Sequence, residues 1–141
     1  GGIFLAQQER RQLEMVVQQG LDSKVQALCH KIDFGYCICG KAATAQQIIH
    51  TDAVDHQHTN CFEGMEDHGH YAVPITYEKR LLGVMILYLP AGHQQVQDES
   101  DFLEAVANVL GGLIQRDRTQ KALLESETRL RNATGGESSI Q

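Results

Sequence analysis

Hydrophobic positions in the first third of the chain change their period twice. Ile3, Phe4 and Leu5 precede a polar stretch, Gln7 to Arg11, after which Leu13, Met15 and Val17 alternate. This predicts a hairpin with one buried face. From Ser23 the period lengthens, with Val25, Leu28, Cys29 and Ile32 at i, i+3, i+4 and i+7 behind a Ser23 to Gln26 capping box. A short helix to about Lys31 is expected. Lys41 to Gln47 is rich in helix formers and runs into the more β-branched Ile48 to Asp52, so one or two helical turns feed a short strand. Residues 53–69 carry neither period and read as a long loop.

Strand character resumes at Tyr71 to Tyr77, where Pro74 points to an edge or a bulge. Leu81 to Leu89 is almost unbroken in its apolar character, as expected of a central strand covered on both faces. Asp98, Glu99 and Asp101 then place negative charge in the first turn of a helix that meets no breaker before Gly135. A helix over 98–132 would be about 50 Å long. Its first half can pack on a sheet, and Gly111-Gly112 permits a close approach. Val106, Val109, Leu113, Leu123 and Leu130 form a heptad-like seam interrupted by Arg116 and Gln120. The polar second half is marginal alone and is expected to pair with a partner helix, giving a homodimer. Residues 135–141 have no pattern and read as a flexible tail.

A chain of 141 residues fits one compact domain. Its formal charge of −6, with Lys and Arg dispersed, argues against nucleic acid and against contact with an anionic membrane. Its longest apolar run, Leu81 to Leu89, falls far short of the roughly 20 residues that span a bilayer, and no signal peptide is evident. The chain starts at Gly1 and enters a strand at once, which suggests a piece of a longer protein. Cys37 and Cys39 are too close for an ordinary disulfide, so a reducing, cytoplasmic setting is expected.

The compositional anomaly is Phe34 to Tyr71, which holds three of four cysteines and five of seven histidines. In an extended backbone, residues two apart project to one side, so Cys37 with Cys39, and His68 with His70, would each form a convergent pair. Brought together, the pairs make a Cys2His2 set suited to tetrahedral zinc or non-haem iron. His58, Asp52 and Asp55 would be alternative ligands or would orient the ligands, and Cys61 is intermediate. A second reading is thiol redox chemistry, with Cys39 at a helix N-terminus where the dipole favours the thiolate. A third is a pocket for a small organic molecule or cyclic nucleotide, with Cys and His residues that only hold the loop.

Three stretches carry a family resemblance: Phe34 to Ala43 with its Cys-x-Cys-Gly; Asp52, Asp55 and His58; and Glu63-Gly64-Met65 followed by His68-Gly69-His70-Tyr71-Ala72-Val73-Pro74-Ile75. Together with the order of elements they resemble a GAF domain of bacterial signalling proteins, of the subset found in sensor histidine kinases, response-regulator-linked proteins and cyclic-di-GMP enzymes. The resemblance implies an α/β (α+β) fold with an antiparallel sheet flanked by helices and a long C-terminal signalling helix. It implies a GAF domain over 1–117, without the family's usual first helix, a signalling linker over 118–134 and a tail over 135–141. The implied role is non-catalytic sensing in a two-component or related system, relayed to a downstream PAS, kinase or cyclase module. Some members of the family reduce free methionine sulfoxide, but this cysteine arrangement does not match that activity closely.

Overall fold

Two long strands joined by a two-residue turn, β5 (His68–Tyr77) and β6 (Arg80–Pro90), form the centre of the computed structural model. The structure describes residues 1–138, with side chains described through Thr134. The other elements are β1 (Gly2–Gln7), β2 (Gln12–Gln18), α1 (Ser23–Cys29), β3 (Lys31–Asp33), α2 (Cys37–Ala45), β4 (Ile49–Thr51) and α3 (Gln97–Ser138). The six strands form one antiparallel sheet in the order β3-β2-β1-β6-β5-β4. The expected fold class is thus observed, with β6 central.

Each face of the sheet has its own core. Phe4, Leu13, Ala72, Val84 and Ile86 pack with Val25 of α1 and with Ile38 and Ala42 of α2. Tyr71, Val73, Ile75 and Leu82 pack with Leu103 and Ala107 of α3. Burial on both sides is why β6 lacks a polar alternation. Pro74 is tolerated because β4 pairs only with His70, Tyr71 and Ala72, which leaves β5 without a strand partner on that side at Pro74.

Several boundaries differ from the sequence expectation. The β1–β2 register skips Val16 between the partners of Ile3 and Phe4, so Leu13 is buried while Val17 turns outward. Asp22 caps α1, its carboxylate accepting a 2.8 Å bond from the Lys24 backbone N–H, and Gln26 donates to the Leu21 carbonyl. Ser23 is therefore the first helical residue, and no Ser23 capping box forms. The chain then enters β3, whose three residues are too few to show a period. Helix α2 starts at Cys37, four residues before the expected Lys41. The helical conformation of α3 continues to Ser138, past the expected tail start at Gly135; residues 139–141 lie outside the described residues.

Over its 42 residues α3 extends about 63 Å. Leu103, Ala107, Leu110 and Ile114 meet the sheet, and every residue from Arg116 to Thr134 is exposed. A Cβ on Gly111 would collide with the Thr76 backbone carbonyl, whereas Gly112 faces open space. Gly111→Ala should therefore lower stability by about 1–3 kcal/mol. Gly112→Ala should raise it by up to about 1 kcal/mol through helix propensity. Urea unfolding of the two variants checks the opposite signs.

Candidate metal centre

On β5, His68 and His70 lie two residues apart and project from the same face. Gly69 separates them because its backbone lies against β4: a Cβ there would run into the Thr51 carbonyl. A third imidazole arrives from the 52–67 loop. Asp55 builds the turn that delivers it, its side chain accepting from the Gln57 N–H at 2.9 Å and its carbonyl from the His58 N–H at 3.0 Å. The ring centroids are 4.5 Å apart for His68 and His70, 4.9 Å for His58 and His70, and 5.2 Å for His58 and His68. One nitrogen from each ring lies within 4.8 Å of the others.

Nδ1 of each ring has a polar neighbour. His68 Nδ1 donates to the Glu66 carbonyl at 2.7 Å, so Nε2 of the neutral ring keeps its lone pair. That Nε2 is buried and without a hydrogen-bond partner. His70 Nδ1 lies 3.1 Å from Thr51 Oγ1, and His58 Nδ1 lies 3.5 Å from Cys61 Sγ. Cys61 is itself anchored by donating to the His58 carbonyl at 2.8 Å. In each ring the outer nitrogen has a support, as in imidazoles that bind a metal through the other nitrogen.

Burial favours the neutral form of His70 and His58. His70 is 2% exposed, and desolvation, reinforced by His68 and His58, lowers its pKa to about 3. Desolvation also lowers that of His58, with His68 adding to it. Tyr88 of β6 supports the cluster, stacking on His68 with centroids 4.9 Å apart and meeting His70 edge-on at 4.7 Å. Beside it is a cavity of about 20 Å³, lined by Cys29, Cys37, Cys39, His58, His70 and Tyr88 among others. It has room for about one water.

The model of the GAF domain family matches residues 1–115. The chain belongs to the GAF domain family. No curated protein matches it. Among solved structures it is similar to the GAF domain of a phosphoenolpyruvate-protein phosphotransferase (ptsP) from Coxiella burnetii, at 23% identity and TM-score 0.75, with 86% of this chain and 74% of that one covered. It is also similar to a free methionine-R-sulfoxide reductase from Neisseria meningitidis in complex with its substrate, at 20% identity and TM-score 0.67, covering 84% and 68%. A third is the second GAF domain of DevS from Mycobacterium smegmatis, at 14% identity and TM-score 0.65, covering 86% and 83%.

Within this GAF fold the expected residues separate. His68 and His70 converge as read from the sequence, and His58 joins them in full rather than in a supporting role. Cys37 and Cys39 do not form the expected extended pair. Both lie in the first turn of α2, where residues two apart point to nearly opposite sides, and they fall outside the three-nitrogen cluster while still lining the adjoining cavity. Nor is Cys39 an activated thiol: it is buried, and desolvation together with Cys37 and Cys29 pushes its pKa well up. Burial outweighs the helix dipole here. Asp55 and Cys61 position His58, whereas Asp52 faces away, accepting from Gln94 at 3.3 Å.

Sequence reasoning missed Thr51, Tyr88 and Asn60. The Asn60 backbone N–H donates to Cys37 Sγ, and its side chain donates to Cys29 Sγ and to the Leu28 carbonyl. Nothing in their spacing marks these residues; they are found only through the strand register and the loop's path.

The histidine shifts set a pH dependence. The folded value for His70 is about 3 against an ordinary 6.5, so the unfolded chain binds the extra proton between those values. This contribution is full above pH 6.5 and is lost as pH falls toward 3. In chelator-treated protein the stability difference between wild type and His70→Asn should change by up to about 1.4 kcal/mol per pH unit in that window. Urea unfolding at a series of pH values measures it, and parallel curves would show that His70 does not titrate in this way.

Proposed function

We propose that this is a non-catalytic sensory GAF domain of a bacterial signal-transduction protein, and that His58, His68 and His70 bind a divalent transition metal, zinc or non-haem iron. The observation that carries this reading is the buried His68 Nε2, left without a hydrogen-bond partner beside the imidazoles of His58 and His70. An unsatisfied buried acceptor costs about 1–3 kcal/mol; a metal ion would satisfy it. Cys37 and Cys39 are then wall residues of the adjoining cavity. The raised thiol pKa of Cys29, Cys39 and Cys61 supports a non-catalytic role.

A route to output runs through the thickness of the sheet. His70 and Thr51 face the metal centre, and their sequence neighbours Tyr71 and His50 face α3. Tyr71 Oη donates to Glu99 at 3.0 Å and accepts from the Val96 N–H at 3.0 Å, beside the start of α3. His93 donates to the same Glu99 oxygen at 2.8 Å, and His50 donates to the His93 carbonyl at 2.8 Å. Ligation on one face therefore biases the seat of α3 on the other. Farther along, Phe102, Val106, Val109 and Leu113 follow a 4-3 spacing that Leu123 and Leu130 rejoin beyond Arg116, Gln120 and Glu127, and all but the half-buried Val106 of these apolar residues are exposed. A second copy of the chain fits this stripe as a coiled-coil partner, passing the shift to a downstream PAS, kinase or cyclase module.

Purified untagged protein loaded with zinc or cobalt should hold one ion per chain. His58→Ala, His68→Ala and His70→Ala should each weaken binding by well over tenfold, since each removes a ligand, and Cys39→Ala and His56→Ala should leave it near wild type. Metal analysis below stoichiometry under metal-replete, anaerobic conditions would sink the proposal and favour a GAF domain with structural histidines that dimerises or binds a small molecule. The convergence of Cys29, Cys37 and Cys39 on one cavity, together with reductases among the structural neighbours, favours thiol-dependent methionine sulfoxide reduction as the second reading. Turnover of free methionine sulfoxide that is lost in Cys37→Ser would establish it. For the helix, Leu113→Glu should convert a dimer to a monomer in light scattering; an unchanged mass would refute pairing through this stripe.

A further inference from the structure

We propose a second binding site, for a small phosphate-bearing anion, in the groove between the β1–β2 turn and the β5–β6 turn. Basic residues are dispersed along the sequence, and no patch is legible there. Folding nevertheless brings Arg11, Lys79 and Arg80 to one groove of about 390 Å³, lined also by Phe34, Thr44 and Gln46. This volume is that of a small-ligand pocket.

Three features set the groove apart from ordinary solvated charge. First, none of its cations is in an ion pair among the described residues. The ion pairs among the described residues are His93–Glu99 and Lys121–Asp117, so Glu9, Asp33 and Glu78 in and beside these turns pair with none of the three. Asp33 instead accepts a 2.9 Å bond from Gln12. Second, one cation is held in place, the Arg11 guanidinium lying 5.2 Å from the centre of the Phe34 ring.

Third, backbone strain gathers here. Of five non-glycine residues with positive φ, Arg11 (50°), Gln46 (52°) and Lys79 (65°) line the groove, and Glu78 (48°) precedes Lys79. The fifth, Cys37, lines the cavity beside the histidine cluster. The Cβ of an L-residue crowds the backbone in this region, and glycine would remove the strain. The two-residue turn is Glu78-Lys79 where Asn-Gly is the ordinary choice. Long polar side chains thus occupy positions that the backbone would give to glycine, and strain of this kind collects at ligand clamps.

The chemistry of the ligand follows from the donors. Two guanidinium forks and an ammonium match the oxygens and multiple charges of a phosphoryl group better than a single carboxylate. Gln46 adds a neutral amide at the C-terminal end of α2, whereas the Thr44 hydroxyl is committed, donating to the Gly40 carbonyl at 3.1 Å. The groove is separate from the candidate metal centre: α2 begins at Cys37, which lines the cavity beside the histidines, and its C-cap Gln46 lines the groove.

Titration of the isotope-labelled chain with inorganic phosphate and with pyrophosphate, followed by amide NMR, tests the assignment. Expected are saturable shifts confined to residues 8–11, 34, 43–46 and 78–81, with pyrophosphate the tighter probe. Arg80→Gln should weaken pyrophosphate by about tenfold and leave zinc binding unchanged. Lys79→Gly should raise thermal stability while weakening the anion, a divergence that a purely structural lysine would not produce. These two variants keep the test open if Arg11→Gln, which also loses the Phe34 contact, fails to fold. Absence of saturable shifts, equal shifts with acetate at matched ionic strength, tighter binding of an acidic peptide than of pyrophosphate, or unchanged affinity in both variants would each overturn the proposal.

Discussion

Strand β5 has no solvent face, and the rest of the structure depends on that. Its alternate residues must satisfy two different packing partners: His68, His70 and Ala72 face the layer of α1, α2 and the 52–67 loop, while Tyr71, Val73 and Ile75 face α3. A single peptide bond therefore separates a candidate ligand from a residue that anchors the start of α3. Sliding β5 by one residue would exchange the two sets, so the pairing with β6 over ten positions fixes the site and its link to α3 together.

The same burial that prepares the histidines disarms the cysteines. Taking a group out of water disfavours its charged form. For imidazole the favoured form is the neutral base, which is the form that binds metal; for a thiol it is the protonated form, which binds poorly. His70 at about 3 and Cys39 pushed well upward are two outcomes of one environment. Asn60, donating to both Cys29 and Cys37, uses these thiols as weak acceptors that hold the loop carrying His58.

Much of this fold was legible because its signals are local. The hairpin, the β6 core strand, the long helix and the close approach at Gly111 follow from period, composition and a missing Cβ. The Phe34 to Tyr71 crowding marked the stretch where the imidazoles converge, and the His-Gly-His spacing identified two of the three, since β5 begins at His68. The Cys37/Cys39 pairing failed because the same two-residue spacing means convergence in a strand and divergence in a helix, and α2 begins earlier than its composition suggests. His58 could be no more than a candidate, because its approach depends on the Asp55 turn and on the route of a loop with no periodic signal. The basic groove was invisible for the same reason, its cations being supplied by two turns far apart in sequence.

In the proposed metal site three imidazoles, and not a Cys2His2 set, would hold the ion. X-ray absorption spectroscopy of the zinc-loaded protein distinguishes them directly. The account predicts three imidazole nitrogens at about 2.0–2.1 Å with no sulfur in the shell; two sulfur scatterers at about 2.3 Å would contradict it.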